Sequence, residues 1–200
     1  MLSDVNILYH IYISLVLICL IISLTANNFP KGIWIYFLAV FVTDVYMYYG
    51  YEYCHYNIHH LAMVFYSLFF LWYYRKVFTG GWFRILFSAL FMMGTACILL
   101  ISNPYDLKII AILVLSFISL PFLWFYKEIK EVNRDKITSK NLFWVSSGLI
   151  IWVSFFIFKM IPLYFLYTQD KQFLLEIDLI FQYVNIIFYL ILLKSLFCKL

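Results

Sequence analysis

Residues 46–60 read Tyr-Met-Tyr-Tyr-Gly-Tyr-Glu-Tyr-Cys-His-Tyr-Asn-Ile-His-His. Six tyrosines, three of the four histidines, a glutamate and a cysteine stand there in a chain that is otherwise mostly apolar. Neutral imidazoles with a carboxylate or thiolate suit zinc, copper or iron. His55 and His59 are four apart, so a helix through them puts both on one face. His60 is adjacent, and Glu52, Cys54 and His10 can approach from the same level. Two other readings use the same residues. Histidine titrates near physiological pH, which suits a proton or ligand sensor. Tyrosine and histidine also suit a plain aromatic and polar belt at a membrane interface. A single HxxxH lacks the repeated histidine boxes of a membrane di-iron enzyme. No metal or cofactor is therefore assigned, and His55, His59, His60 and Glu52 stand as candidate ligands only.

A second candidate is electrostatic. Asp44 and Lys159 both fall inside long apolar runs, where ionisable side chains are rare and mark function by default. At 1.5 Å per residue from the inner ends, Asp44 lies about 18 Å up its helix and Lys159 about 25 Å up. Similar depth predicts an intramembrane ion pair, Asp44 with Lys159. Snorkelling of Lys159 to the surface and a proton or ion pathway are the competing readings. Gln182 and Asn185 are expected to hydrogen-bond between helices. No nucleophile elbow, phosphate-binding loop, HExxH or dinucleotide fingerprint occurs. The expectation is a protein that is not an enzyme.

The elements that position these residues follow from composition. The 200 residues are 66% hydrophobic and 12% charged, with a mean hydropathy of +0.94. A soluble domain is roughly a quarter charged, so lipid must solvate the excess apolar surface. Apolar runs cover residues 7–25, 32–49, 58–74, 82–101, 107–126, 142–164 and 173–197. Crossing about 30 Å of hydrocarbon takes a helix of roughly 20 residues, and continuous runs of this length are helices in lipid. The fold class expected is all-α: one polytopic bundle over residues 1–200, with about seven spans. The run at 58–74 is the shortest. Asp4 and the lack of a basic residue before the first run predict a retained span rather than a cleaved signal. Four cysteines without CxxC spacing support neither a disulfide framework nor a zinc knuckle.

Basic residues set orientation. With seven spans, the connections on the N-terminal side carry Lys108 and Lys171. The other side carries Lys31, Arg75, Lys76, Arg84, Lys127, Lys130, Arg134, Lys136, Lys140, Lys194 and Lys199. The prediction is a multi-pass protein of the cell inner membrane, N-out and C-in. Trp34, Trp72, Trp82, Trp124 and Trp144 fall at span ends on the basic side, as an interfacial belt requires. The connection at 127–140 is short and basic. Lys127, Lys130, Arg134, Lys136 and Lys140 are its candidate docking residues for a cytoplasmic partner or anionic lipid. The charge of +4 is not massed on a soluble domain, so direct nucleic-acid binding is not expected. A second copy of the chain stays open as a partner within the bilayer.

Two resemblances bear on function. Asn141-Leu142-Phe143-Trp144-Val145-Ser146-Ser147-Gly148-Leu149, with Asn185-Ile186-Ile187-Phe188-Tyr189-Leu190 and Phe197-Cys198, resembles small polytopic membrane proteins of Bacteroidetes-type bacteria. Some of these are encoded beside sensor histidine kinases. In length, composition and lack of a soluble domain, the whole chain is similar to the small transmembrane accessory protein of type VI-B CRISPR loci. That resemblance implies a non-enzymatic regulator in antiviral defence that damps RNA interference by the RNA-guided RNase. It offers no catalytic residue to carry over. A sensory or transport module using residues 46–60 and Asp44 is the alternative, and an integral membrane enzyme comes third.

Overall fold

A computed structural model describes residues 2–25, 32–49, 57–78, 81–100, 107–131, 136–166 and 171–198. Among them the structure is helical: α1 (Leu2–Thr25), α2 (Ile33–Tyr49), α3 (Asn57–Tyr73), α4 (Trp82–Leu100), α5 (Leu107–Lys130), α6 (Asn141–Leu166) and α7 (Lys171–Leu196). Short 3₁₀ turns at Arg75–Val77 and Ile137–Ser139 follow α3 and precede α6. Each apolar run of the sequence thus became one helix. Among the described residues, four stretches are long and apolar enough to cross a membrane: Asn6–Thr25, Ile110–Lys130, Asn141–Phe165 and Gln172–Leu196. Ile33–Tyr48 and Leu61–Tyr73 are shorter apolar helices.

The chain divides into two compact units. The first comprises Met1–Trp34 with Lys136–Leu200 and holds α1, α6 and α7. On α1, Leu8, Tyr12, Leu15, Val16, Cys19, Leu20 and Ser23 are buried. Their steps of three and four make one stripe on a helix. That stripe meets α7, where Tyr12 and Tyr189 rings lie 5.4 Å apart and the Cys19 thiol donates to the Tyr189 carbonyl at 3.8 Å. The remaining face of α1 exposes Ile7, Ile11, Ile18 and Ile21. Water would penalise such a face, whereas hydrocarbon solvates it at no cost.

The second unit is Ile35–Asp135 and centres on α3 packed with α4 and α5. Its core is aromatic. The Tyr36 ring stacks on Phe69 at 5.2 Å and stands edge-on to Phe70 at 5.0 Å, and Phe70 stands edge-on to Phe117 at 5.0 Å. Such tilted and offset pairs place ring edges on ring faces. Hydroxyls inside these helices are satisfied along their own helix: Ser67 donates to the Met63 carbonyl, and Ser116 to those of Ile112 and Leu113. That back-bonding meets the demand of an apolar surrounding without a neighbouring helix. Trp124, assigned from sequence to the interfacial belt, is instead 3% exposed and stands against Phe125. Trp72 fits the belt better, since the Arg75 guanidinium lies 4.3 Å from its ring centroid.

Candidate functional site

The polar chemistry of the first unit collects where α6 meets α7. Only four residues, 167–170, join the two helices, so they run antiparallel. Contacts along them follow in opposite order. Asn141, 2% exposed, donates through Nδ2 to the Ser195 carbonyl at 2.7 Å. Gly148 faces Phe188 and Ile191. The Trp152 indole N–H donates to Asn185 Oδ1 at 2.8 Å. Lys159 Nζ lies 2.7 Å from Asp178 Oδ1. On α7, Asp178, Gln182 and Asn185 are spaced by four and three, so they form one polar stripe turned towards α6.

Gly148 explains the close approach midway. A Cβ there would meet Ile191 Cγ2 at 3.2 Å and Phe188 Cδ2 at 3.3 Å. Small residues at a membrane helix contact let backbones approach, and dispersion then holds the pair. Asn185 performs the interhelical role expected of it. Gln182 does not: its buried Oε1 has no hydrogen-bond partner among the described residues. By the register of the two helices, Gln182 comes level with Phe155, which offers it no hydrogen bond.

Among the described residues, Lys159 and Asp178 form a closer ion pair than Lys127 and Glu131, at 2.7 Å against 3.9 Å. Lys159 is 24% and Asp178 41% exposed at the side chain. The ammonium also lies 4.7 Å from the Phe181 ring centroid, a cation–π contact. Beside the pair, a groove of about 210 Å³ is lined by Phe155, Phe158, Lys159, Ile177, Ile180 and Phe181.

The sequence expectation paired Lys159 with Asp44; in the structure the carboxylate at 2.7 Å from Lys159 is that of Asp178. Depth alone allowed either carboxylate, but Asp178 sits on the helix that folds back beside α6, and Lys159 reaches it directly. Asp44 belongs to α2 in the other unit.

No protein family, curated protein or solved structure matches the chain.

The other expected site residues are placed as follows. His59 and His60 fall in the first turn of α3, while Glu52 and His55 lie outside the described residues. Among the described residues no three His, Cys, Asp or Glu side chains converge to hold a metal ion. Of the basic connection, Lys130 and Lys136 are exposed and Arg134 lies outside the described residues. Lys127 and Lys140 are half-buried. Lys127 donates to the Lys76 carbonyl at 3.0 Å and approaches Glu131 to 3.9 Å. Helix α5 runs on past its apolar run, and its end carries this i,i+4 pair. Asp178 was passed over in the sequence because Lys159 was matched by depth to Asp44 alone. One signal pointed to it: Lys159 is seven residues from the end of α6, and Asp178 seven from the start of α7.

Proposed function

We propose that this chain is a multi-pass inner-membrane protein with seven spans, N-out and C-in, that acts on a cytoplasmic partner without being an enzyme. The observation that carries the membrane part is the outward apolar surface of the long helices. Leu115 on α5 is 67% exposed and Phe158 on α6 is 72% exposed, with Ile7, Ile21, Phe122 and Phe165 also outward. The eleven-to-two distribution of Lys and Arg supports the orientation.

The partner-facing part rests on short basic segments. Arg75, Lys76, Lys130 and Lys136 are exposed. In the proposed topology they share the cytoplasmic side with Lys127, Arg134 and Lys140. Each segment is small, so the contact is weak alone and gains from confinement to the membrane. The resemblance to the accessory protein of type VI-B CRISPR loci makes the RNA-guided RNase of those loci the partner to test first, with repression of RNA interference the expected direction.

Co-expression with such an effector and a matching guide tests this reading. Interference should fall, and changing Lys127, Lys130, Arg134, Lys136 and Lys140 to Gln should restore it. His55→Ala and His59→Ala should leave the effect intact. Unchanged interference, with the protein present in the membrane fraction, would remove the reading.

A further inference from the structure

We propose that the groove beside Lys159 and Asp178 holds a zwitterionic phospholipid of the ethanolamine class, with its headgroup on the ion pair and part of one acyl chain in the groove. An ammonium has three N–H donors. Asp178 takes one, and no other protein acceptor meets Lys159 among the described residues. Asp178 uses one oxygen on Lys159 and stays 41% exposed at its side chain. A donor and an acceptor of opposite charge thus stand 2.7 Å apart at the edge of an apolar groove.

The charge pattern selects the occupant. An anionic headgroup that meets Lys159 is repelled by Asp178. A simple cation that meets Asp178 is repelled by Lys159. A phosphate carrying a primary ammonium on a two-carbon arm satisfies both, phosphate to Lys159 and ammonium to Asp178, through charge-assisted hydrogen bonds. A choline headgroup has no N–H to donate to the carboxylate. The rest of the lining suits hydrocarbon, since Phe155, Phe158, Ile177 and Ile180 offer no polar side-chain atom. Depth agrees as well. Lys159 is eighteen residues beyond Asn141, about 27 Å along α6, and roughly 30 Å of hydrocarbon separates the two headgroup layers. The pair therefore stands at the headgroup level of the leaflet nearest the α6–α7 connection.

The test uses the full chain, delipidated in mild detergent, and native mass spectrometry with equal amounts of phosphatidylethanolamine, phosphatidylglycerol and phosphatidylcholine of matched chains. The ethanolamine lipid should be retained on the order of tenfold more than either competitor, as expected for one or two charge-assisted contacts. Lys159→Met with Asp178→Leu should erase the preference while leaving total lipid retention unchanged. In the unaltered protein, an ethanolamine lipid carrying a diazirine on its acyl chain should label residues 155–158 and 177–181. Unlabelled phosphatidylethanolamine should suppress that labelling, and phosphatidylglycerol should not. Equal retention of the three lipids, a preference that survives the double substitution, or labelling confined to other helices would overturn the proposal.

Discussion

Lys159 and Asp178 meet at 2.7 Å across the α6–α7 hairpin, each seven residues from the end of its helix at the connection. Removing one partner strands the other charge beside an apolar groove, and that stranded charge is the costly element. Asp178→Asn should therefore lower the yield of monodisperse protein and its apparent melting temperature. The loss should be on the order of 1 kcal/mol, below the range for fully buried pairs, because both side chains are partly exposed. Adding Lys159→Met should recover part of it, whereas Asp44→Asn should not couple to Lys159. The measurement is a double-mutant cycle by thermal unfolding in detergent. Coupling of Lys159 to Asp44 instead of Asp178 would reinstate the pairing expected from sequence.

Two amides on α7, three residues apart, should respond in opposite directions. Asn185 accepts from the Trp152 indole, so Asn185→Leu strands a donor and should cost about 0.6 to 1.7 kcal/mol. Gln182 buries an oxygen without a partner, so Gln182→Leu removes a desolvated acceptor and should stabilise by about 1 kcal/mol. Thermal unfolding of the two single variants checks this. A destabilised Gln182→Leu would mean that the amide is satisfied in the membrane.

Much of the fold was legible in the sequence, because hydrophobic length is a strong signal in lipid. All seven apolar runs became helices, and the largest displacements of an end were five residues at the start of α1 and four at the end of α5. The α5 extension holds Lys127, which pairs with Glu131 just past the helix end. Which helices adjoin was not legible. Most helices are apolar around most of their circumference, and even the polar stripe of Asp178, Gln182 and Asn185 on α7 does not say which helix it meets. That is why depth matched Lys159 to Asp44 and why Trp124 was read as interfacial when it is buried. Chain proximity across the four-residue connection was the missing information for Asp178.

Gly148 sets how closely α6 and α7 approach. An alanine methyl would press on Phe188 and Ile191 at 3.2–3.3 Å, so these neighbours would have to give by tenths of an ångström. Helix propensity favours alanine over glycine by up to about 1 kcal/mol, so Gly148→Ala should be close to neutral. Gly148→Leu cannot be accommodated without moving a helix and should cost about 1–3 kcal/mol or more. Urea or heat titration of both variants separates them. A tolerated Gly148→Leu would show that the two helices do not approach closely in the membrane.

The topology proposal can be tested without knowing the partner. Seven spans put the segment between α2 and α3 outside and the segment between α5 and α6 inside, and eleven basic residues against two favour that arrangement. A reporter active only in the cytoplasm should read positive when fused after Lys140 and after Leu200. One active only outside should read positive after Tyr53. The informative fusion is the one after Tyr53, because α2 and α3 are each seventeen residues, about 25 Å long, and so nearest the limit for crossing. If both lay in one leaflet or were buried without crossing, Tyr53 would report from the cytoplasm. The histidine-rich stretch would then share a side with the basic segments, and five spans would remain. An extracytoplasmic signal at Tyr53 with cytoplasmic signals at Lys140 and Leu200 is the expected result. It would leave the basic connection as the face available to a cytoplasmic partner.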